Sequence, residues 1–291
     1  MHSATASNIL NTPVLIFGGP YSNLEATRAM QARAEALQIP PQQIICTGDT
    51  IAYCAAPEDT VTLIRNWGVH VVQGNCEEAI AEDAADCGCG FETGSLCSTL
   101  STEWFEYARK RLDREHKQWM RSLPKQLRFR YRDKDIVVLH GDAYHNNTFV
   151  FGSDCPQQKA EQLRTLGADI VIGGHCGLPF GQLIGDRAWL NAGVIGMPAN
   201  DGTRDGWYML VKDAPSGQPG IEVSWHRLHY DWRGAQQRMS EAGLSPDYRL
   251  ALETGQWPSE SILPETEKSA RAKALDPLPL SIASRSERVS P

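Results

Sequence analysis

Apolar runs rich in β-branched residues recur along this chain, and each stops abruptly at a glycine pair or a Gly-polar step. They are Pro13 to Gly19, Gln43 to Asp49, Val69 to Asn75 and Asp135 to Asp142, and ADIVIGGH from Ala168 to His175 repeats the pattern. Trp189 to Val194 adds a sixth short run that ends in an Asn-Ala-Gly turn. Short continuous apolar runs of this kind read as strands buried on both faces, and the stops read as loops. Polar side chains are thereby gathered at strand ends.

Helical patterns lie between these runs. Ala26, Met30, Ala34 and Leu37 fall at helical steps within Asn23 to Leu37, and the Pro40-Pro41 pair stops that helix. Val61, Leu63, Ile64 and Trp67 repeat the spacing in Pro57 to Trp67. The strand-helix-strand rhythm predicts an α/β layered fold. Residues 101 to 123 form one amphipathic pattern with Trp104, Ala108, Leu112 and Trp119 on one side. The basic residues opposite read as a solvated face and are assigned no site.

At 291 residues, layers of this type often share a single core, and 41% hydrophobic with 22% charged residues is ordinary for a globular chain. A net charge of -7 repels nucleic acid and anionic lipid at long range, so small ligands are the expected partners. The N-terminus lacks a basic segment followed by an apolar one, and no stretch of about 20 apolar residues occurs, which predicts a cytoplasmic protein that does not span a membrane. From about Pro258, Pro, Ser, Glu and Lys dominate, as in disordered tails. The expected organisation is a domain over residues 12–230, a helical extension over 231–257 and a disordered tail over 258–291.

Oxygen and imidazole ligands on several adjacent strand ends converge on one rim of a sheet, where divalent metals that polarise phosphate are held. In order, the strand ends carry Cys46-Thr47-Gly48-Asp49, Gly74-Asn75-Cys76-Glu77, Leu139-His140-Gly141-Asp142 and Gly174-His175-Cys176-Gly177. The turn from Asn191 to Pro198 follows them. Over roughly residues 13 to 255 this series resembles the calcineurin-like metallophosphoesterases, in particular their compact bacterial branch of small phosphodiesterases and phosphatases.

The resemblance implies a four-layer α/β/β/α sandwich with a C-terminal helical extension and a two-metal site. Where the family's first motif reads Asp-x-His-Gly-Asn-Leu-Glu-Ala, this chain reads Gly19-Pro20-Tyr21-Ser22-Asn23-Leu24-Glu25-Ala26. The family's second histidine of Gly-His-x-His is replaced by Gly177. Every ligand private to the first metal is thus absent. The set implied for the second metal, Asp49, Asn75, His140 and His175, is complete, and the resemblance gives Asp49, Asn75 and His140 catalytic roles.

The implied function is hydrolysis of a small-molecule phosphomonoester or phosphodiester with one divalent transition metal, Mn, Fe or Zn. A weak or inactive module that binds phosphate, nucleotide or metal is an alternative. Tyr21 could bind Fe(III) as a phenolate or simply cover the vacated volume. Cys87-Gly88-Cys89-Gly90 with Cys97 forms a short Gly-rich insertion that could hold Zn or an iron-sulfur cluster, or carry reduced thiols, and altered redox chemistry is a third alternative.

Overall fold

The computed structural model describes residues 5–9, 13–91, 94–215 and 220–284. Twelve strands among them form two six-stranded sheets. The first half of the chain supplies β1 (Thr5–Ile9), β2 (Val14–Phe17), β3 (Ile44–Cys46), β4 (His70–Val71), β5 (Gln126–Tyr131) and β6 (Lys134–Leu139). The second half supplies β7 (Ile170–Gly173), β8 (Pro179–Ile184), β9 (Arg187–Ala192), β10 (Gly206–Asp213), β11 (Gly220–Leu228) and β12 (Leu280–Ala283). One sheet has the order β1-β5-β6-β7-β9-β8 and the other β12-β11-β10-β2-β3-β4.

The strands read as buried on both faces are largely so, except that the run from Val69 yields only the two-residue edge strand β4, whose His70 is half-exposed. Val14 and Ile16 of β2 enter the core between the sheets with Ile136 and Val138 of β6 and Ile170 and Ile172 of β7. Their neighbours Leu15 and Phe17 face outward against Ala26, Met30 and Ala34 of α1 (Leu24–Ala36) and Ile64 of α2 (Pro57–Trp67). On the opposite side Val137, Leu139, Val171 and Trp189 pack with Leu163 of α6 (Pro156–Leu166). Side chains that alternate between two apolar layers require runs without polar breaks, which is the pattern seen in the sequence. The result is the α/β/β/α layering that the family resemblance implies.

Local chemistry fixes the element ends. The Asn23 side chain accepts from the backbone N–H of Ala26 and caps α1, while its Nδ2 donates to the carbonyl of Gly196 at 2.9 Å. α3 (Asn75–Ala81) starts directly after the β4 loop. The single helix expected over 101–123 is two, α4 (Leu96–Arg111) and α5 (Arg114–Ser122). Leu112 takes an extended conformation, and Asp113 accepts from the N–H groups of Glu115 and His116 to start the second helix.

The C-terminal region differs from expectation. α7 (Trp232–Glu241) and α8 (Pro246–Thr254) are followed by α9 (Glu265–Ser269) and by β12, which pairs antiparallel with β11. Residues 258–284, read as a disordered tail, are therefore structured, while 285–291 lie outside the described residues. The polar composition that suggested disorder is offset by anchors. Ser153 donates through N and Oγ to Glu267, and Arg227 donates to the carbonyl of Leu275 at 2.6 Å. Ile282 is buried in the core between the sheets.

Candidate metal centre

Four side chains meet where strand ends of both sheets face each other. Asp49 lies just beyond β3, Asn75 opens α3, His140 directly follows β6, and His175 follows β7. All four are buried. His140 is the hub: its Nε2 lies 3.0 Å from Asn75 Oδ1, 3.2 Å from Asp49 Oδ2 and 3.2 Å from His175 Nδ1.

Each member is oriented from behind. His140 Nδ1 donates to the carbonyl of Thr47 at 2.7 Å, which fixes the ring and turns Nε2 into the cluster. The Asn75 amide nitrogen donates to the carbonyl of Cys87 at 2.9 Å and lies 3.3 Å from Cys89 Sγ, so its oxygen faces inward. The other carboxylate oxygen of Asp49 accepts from the N–H of Cys76 at 3.2 Å. His175 is stacked on Phe149 with ring centroids 4.1 Å apart.

Asp49 and His175 both sit at positive φ, +56° and +58°, a region that L side chains rarely adopt unless their surroundings enforce it. Glu77 supplies that enforcement at Asp49. Fully buried, it accepts from the N–H of Asp49 at 2.8 Å, of Thr50 at 2.6 Å and of Gly74 at 2.8 Å, and from the Thr50 hydroxyl at 2.7 Å. Gly74 must be glycine, because a Cβ there would meet Asp49 Oδ1 at 2.3 Å.

The donor set fits a divalent cation. The Thr47 carbonyl only accepts, so the hydrogen of a neutral His140 is on Nδ1 and Nε2 presents a lone pair. That lone pair faces a carboxylate oxygen, an amide oxygen and a second ring nitrogen. Four acceptors gathered out of water repel one another unless a cation lies among them. Imidazole, amide and carboxylate together suit Mn, Fe or Zn. Among the described residues, Asp49, His140 and His175 are the only three His, Cys, Asp or Glu side chains whose ligand atoms lie within 4.8 Å of one another.

Electrostatics agree. Burial works against a charge on Asp49, but His140 and His175 hold its carboxyl below the ordinary range. Burial works against a charge on His140 as well, yet the Asp49 carboxylate overrides it and raises the imidazole above 6.5. Burial and the adjacent His140 push His175 down to about 3, leaving it neutral.

The other half of the site is filled. A Cβ on Gly19 would meet Tyr21 Cζ and Val194 Cγ1, each at 2.6 Å, so the Tyr21 ring covers the place of the missing aspartate. Burial, reinforced by Asp49, raises the Tyr21 phenol well above its ordinary value, which makes it a neutral space-filler rather than a phenolate. A Cβ on Gly177 would touch Trp257 at 3.4 Å, so Trp257 covers the place of the missing histidine. Trp257 is held by its indole N–H, which donates to the carbonyl of Pro198 at 2.7 Å.

The cysteine-rich insertion does something other than the chemistry expected of it. Cys87 and Cys89 are bonded to each other, and Cys97 Sγ lies 3.7 Å from Ser261 Oγ. The Zn or iron-sulfur site expected at Cys87, Cys89 and Cys97 gains no support: two of its sulfurs share that bond, and among the described residues the three are not gathered into one metal-holding group. What the segment contributes is the Cys87 carbonyl that orients Asn75. Glu77 and Trp257 were not assigned roles from the sequence. Glu77 was visible as the acidic position of the Gly-Asn-x-Glu motif; Trp257 gave no signal.

A two-sheet sandwich with His, Asn and Asp side chains converging at its strand ends defines a metallophosphoesterase-type site. The chain belongs to the calcineurin-like phosphoesterase superfamily, whose domain model matches residues 22–213. Its fold is similar to that of a metallophosphoesterase from Sphaerobacter thermophilus, 22% identical, covering 84% of this chain and 99% of the other with a TM-score of 0.65. It is also similar to the hypothetical protein PH1004 from Pyrococcus horikoshii OT3, 16% identical with the same coverages and a TM-score of 0.70. No curated protein matches the sequence. Among the described residues no helix is long and apolar enough to cross a membrane.

Proposed function

We propose that this protein is a metal-dependent phosphoesterase that hydrolyses a small-molecule phosphomonoester or phosphodiester through a single-metal site, acting in the cytoplasm and without a nucleic-acid or membrane partner. The observation that carries the reading is the convergence of Asp49, Asn75 and His175 on His140 Nε2, beside a first half-site occupied by Tyr21, Val194 and Trp257. Asp49, Asn75, His140 and His175 hold one divalent ion, Mn, Fe or Zn. When bound, the ion supplies Lewis acidity toward a phosphoryl oxygen and acidifies water.

The chain's own residues do the rest. Glu77 and Thr47 fix Asp49 and His140, so the ligands need not reorganise as the substrate enters. Phe149 and Trp257 wall the site and exclude bulk water, which strengthens electrostatic interactions at the phosphorus. The filled first half-site removes the second ion's clamp on the leaving oxygen, and slower turnover than in a two-metal enzyme follows.

The same filling favours a second reading, a module that binds a phosphorylated ligand without cleaving it. The two are separated by assaying metal-loaded protein against phosphomonoesters and phosphodiesters, with Asp49→Ala and His140→Ala as controls. Hydrolysis abolished by both substitutions supports the enzyme. No turnover with Mn, Fe or Zn supports the binding module, and turnover that survives both substitutions belongs to a contaminant.

A further inference from the structure

A cavity opens from Asp49 and His175, and its walls are aromatic. Tyr21 packs edge-on against Tyr53 with centroids 4.8 Å apart, and Tyr53 lies 4.5 Å from Tyr248. Across the cavity Phe149 stacks on His175, with Phe91 6.4 Å beyond it. Trp257 closes a third side. Phe91, Tyr248 and Trp257 are half-buried, so these rings form the rim as well as the wall. The C-terminal segment, through Tyr248 of α8 and Trp257 beyond it, builds much of this enclosure.

Among the described residues no lysine or arginine lines the cavity, and the only carboxylate that does is Asp49. A phosphomonoester at neutral pH carries close to two negative charges, and sites for such groups ordinarily supply guanidinium or ammonium partners. Here one divalent ion beside the Asp49 carboxylate leaves a single net positive charge. That balances a monoanion and leaves a dianion uncompensated in a low-dielectric enclosure.

We propose that the site takes a phosphodiester monoanion bearing an aromatic or alkyl substituent, seated with its phosphate at the end of the cavity where Asp49 and His175 open on it and its apolar group among Tyr53, Phe149, Tyr248 and Trp257. This rests on the phosphoesterase reading and narrows its substrate. Hydrolysis joins a water oxygen to phosphorus and breaks one P–O ester bond. The departing oxygen takes a proton and leaves as an alcohol or phenol. The other product is a monoester, whose second negative charge the site does not compensate. Charge thus favours product release.

The test is calorimetric binding, independent of turnover, on metal-free protein and on protein loaded with Zn or Mn. The probes are diphenyl phosphate, dimethyl phosphate, phenyl phosphate and benzyltrimethylammonium. The expected result for loaded protein is that diphenyl phosphate binds at least about tenfold more tightly than either dimethyl or phenyl phosphate, as loss of ring burial or of charge match predicts. Trp257→Ala and Tyr248→Phe separate ring from hydroxyl: the first weakens diphenyl phosphate about tenfold and the second leaves it within about twofold.

Phenyl phosphate binding as tightly as diphenyl phosphate overturns the charge argument. Dimethyl phosphate equalling diphenyl phosphate overturns the aromatic wall. Preference for benzyltrimethylammonium, with or without metal, overturns both in favour of an organic cation. The underlying reading fails separately: selective binding of diphenyl phosphate with no phosphoester hydrolysed upholds the ligand class and refutes the hydrolase.

Discussion

The ring of Tyr21 lies over Gly19 so closely that a Cβ built on the glycine would stand 2.6 Å from Tyr21 Cζ. By the resemblance of the first motif, a metal-binding aspartate and histidine are expected at these two positions. Here one has lost its side chain and the other has grown to fill the space. The half-site is therefore closed by packing, and restoring a single ligand will not reopen it.

Gly19→Asp is expected to destabilise the fold by about 2 kcal/mol or more, since it overpacks a buried position and places a side chain at a φ of +43°. Chemical denaturation measures this. Combining it with Tyr21→His removes the obstructing ring, and the double variant should recover part of the loss.

Glu77→Ala leaves the N–H groups of Asp49, Thr50 and Gly74 and the Thr50 hydroxyl without their shared acceptor. A cost of about 3 to 5 kcal/mol is expected for that many buried donors. Glu77→Gln keeps the shape and part of the acceptor capacity, and it should fold. It should still weaken metal binding by about 10- to 100-fold, as loss of a supporting contact behind a ligand does. Metal titration of the Gln variant reads this directly.

Stability of the metal-free protein should peak near pH 6.5. His175 has a folded pKa of about 3 against an ordinary 6.5, so as pH falls below 6.5 the unfolded chain takes up a proton that the folded one refuses. The penalty approaches about 1.4 kcal/mol per pH unit. His140 is shifted upward, so its stabilising proton is present below 6.5 and is lost as pH rises through the folded value. Bound metal replaces that proton, and the alkaline decline should vanish in loaded protein. Thermal melts across pH 5 to 9, with and without Zn, check both limbs.

The buried strands were legible in the sequence because both of their faces pack, which leaves uninterrupted apolar runs such as Val14 to Phe17. β10 carries an uninterrupted apolar run, Trp207 to Val211, but it ends in Lys212-Asp213 rather than in a Gly-polar step. In β11 Glu222, Ser224 and His226 alternate with apolar residues, and β12 becomes a strand only through its pairing with β11. Likewise Asp49, Asn75, His140 and His175 could be read from motif order, since chemistry fixes their identity. Trp257 and Tyr248 could not. They reach the cavity through tertiary packing of the helical extension and the turn after it, and no local pattern encodes the wall they form.

The central claim is a single metal at His140. Elemental analysis of protein dialysed after loading with Zn or Mn should give one ion per chain, lost in His140→Ala. Two ions per chain, both dependent on Asp49, would contradict the account, because Tyr21 and Trp257 leave the second no place to bind.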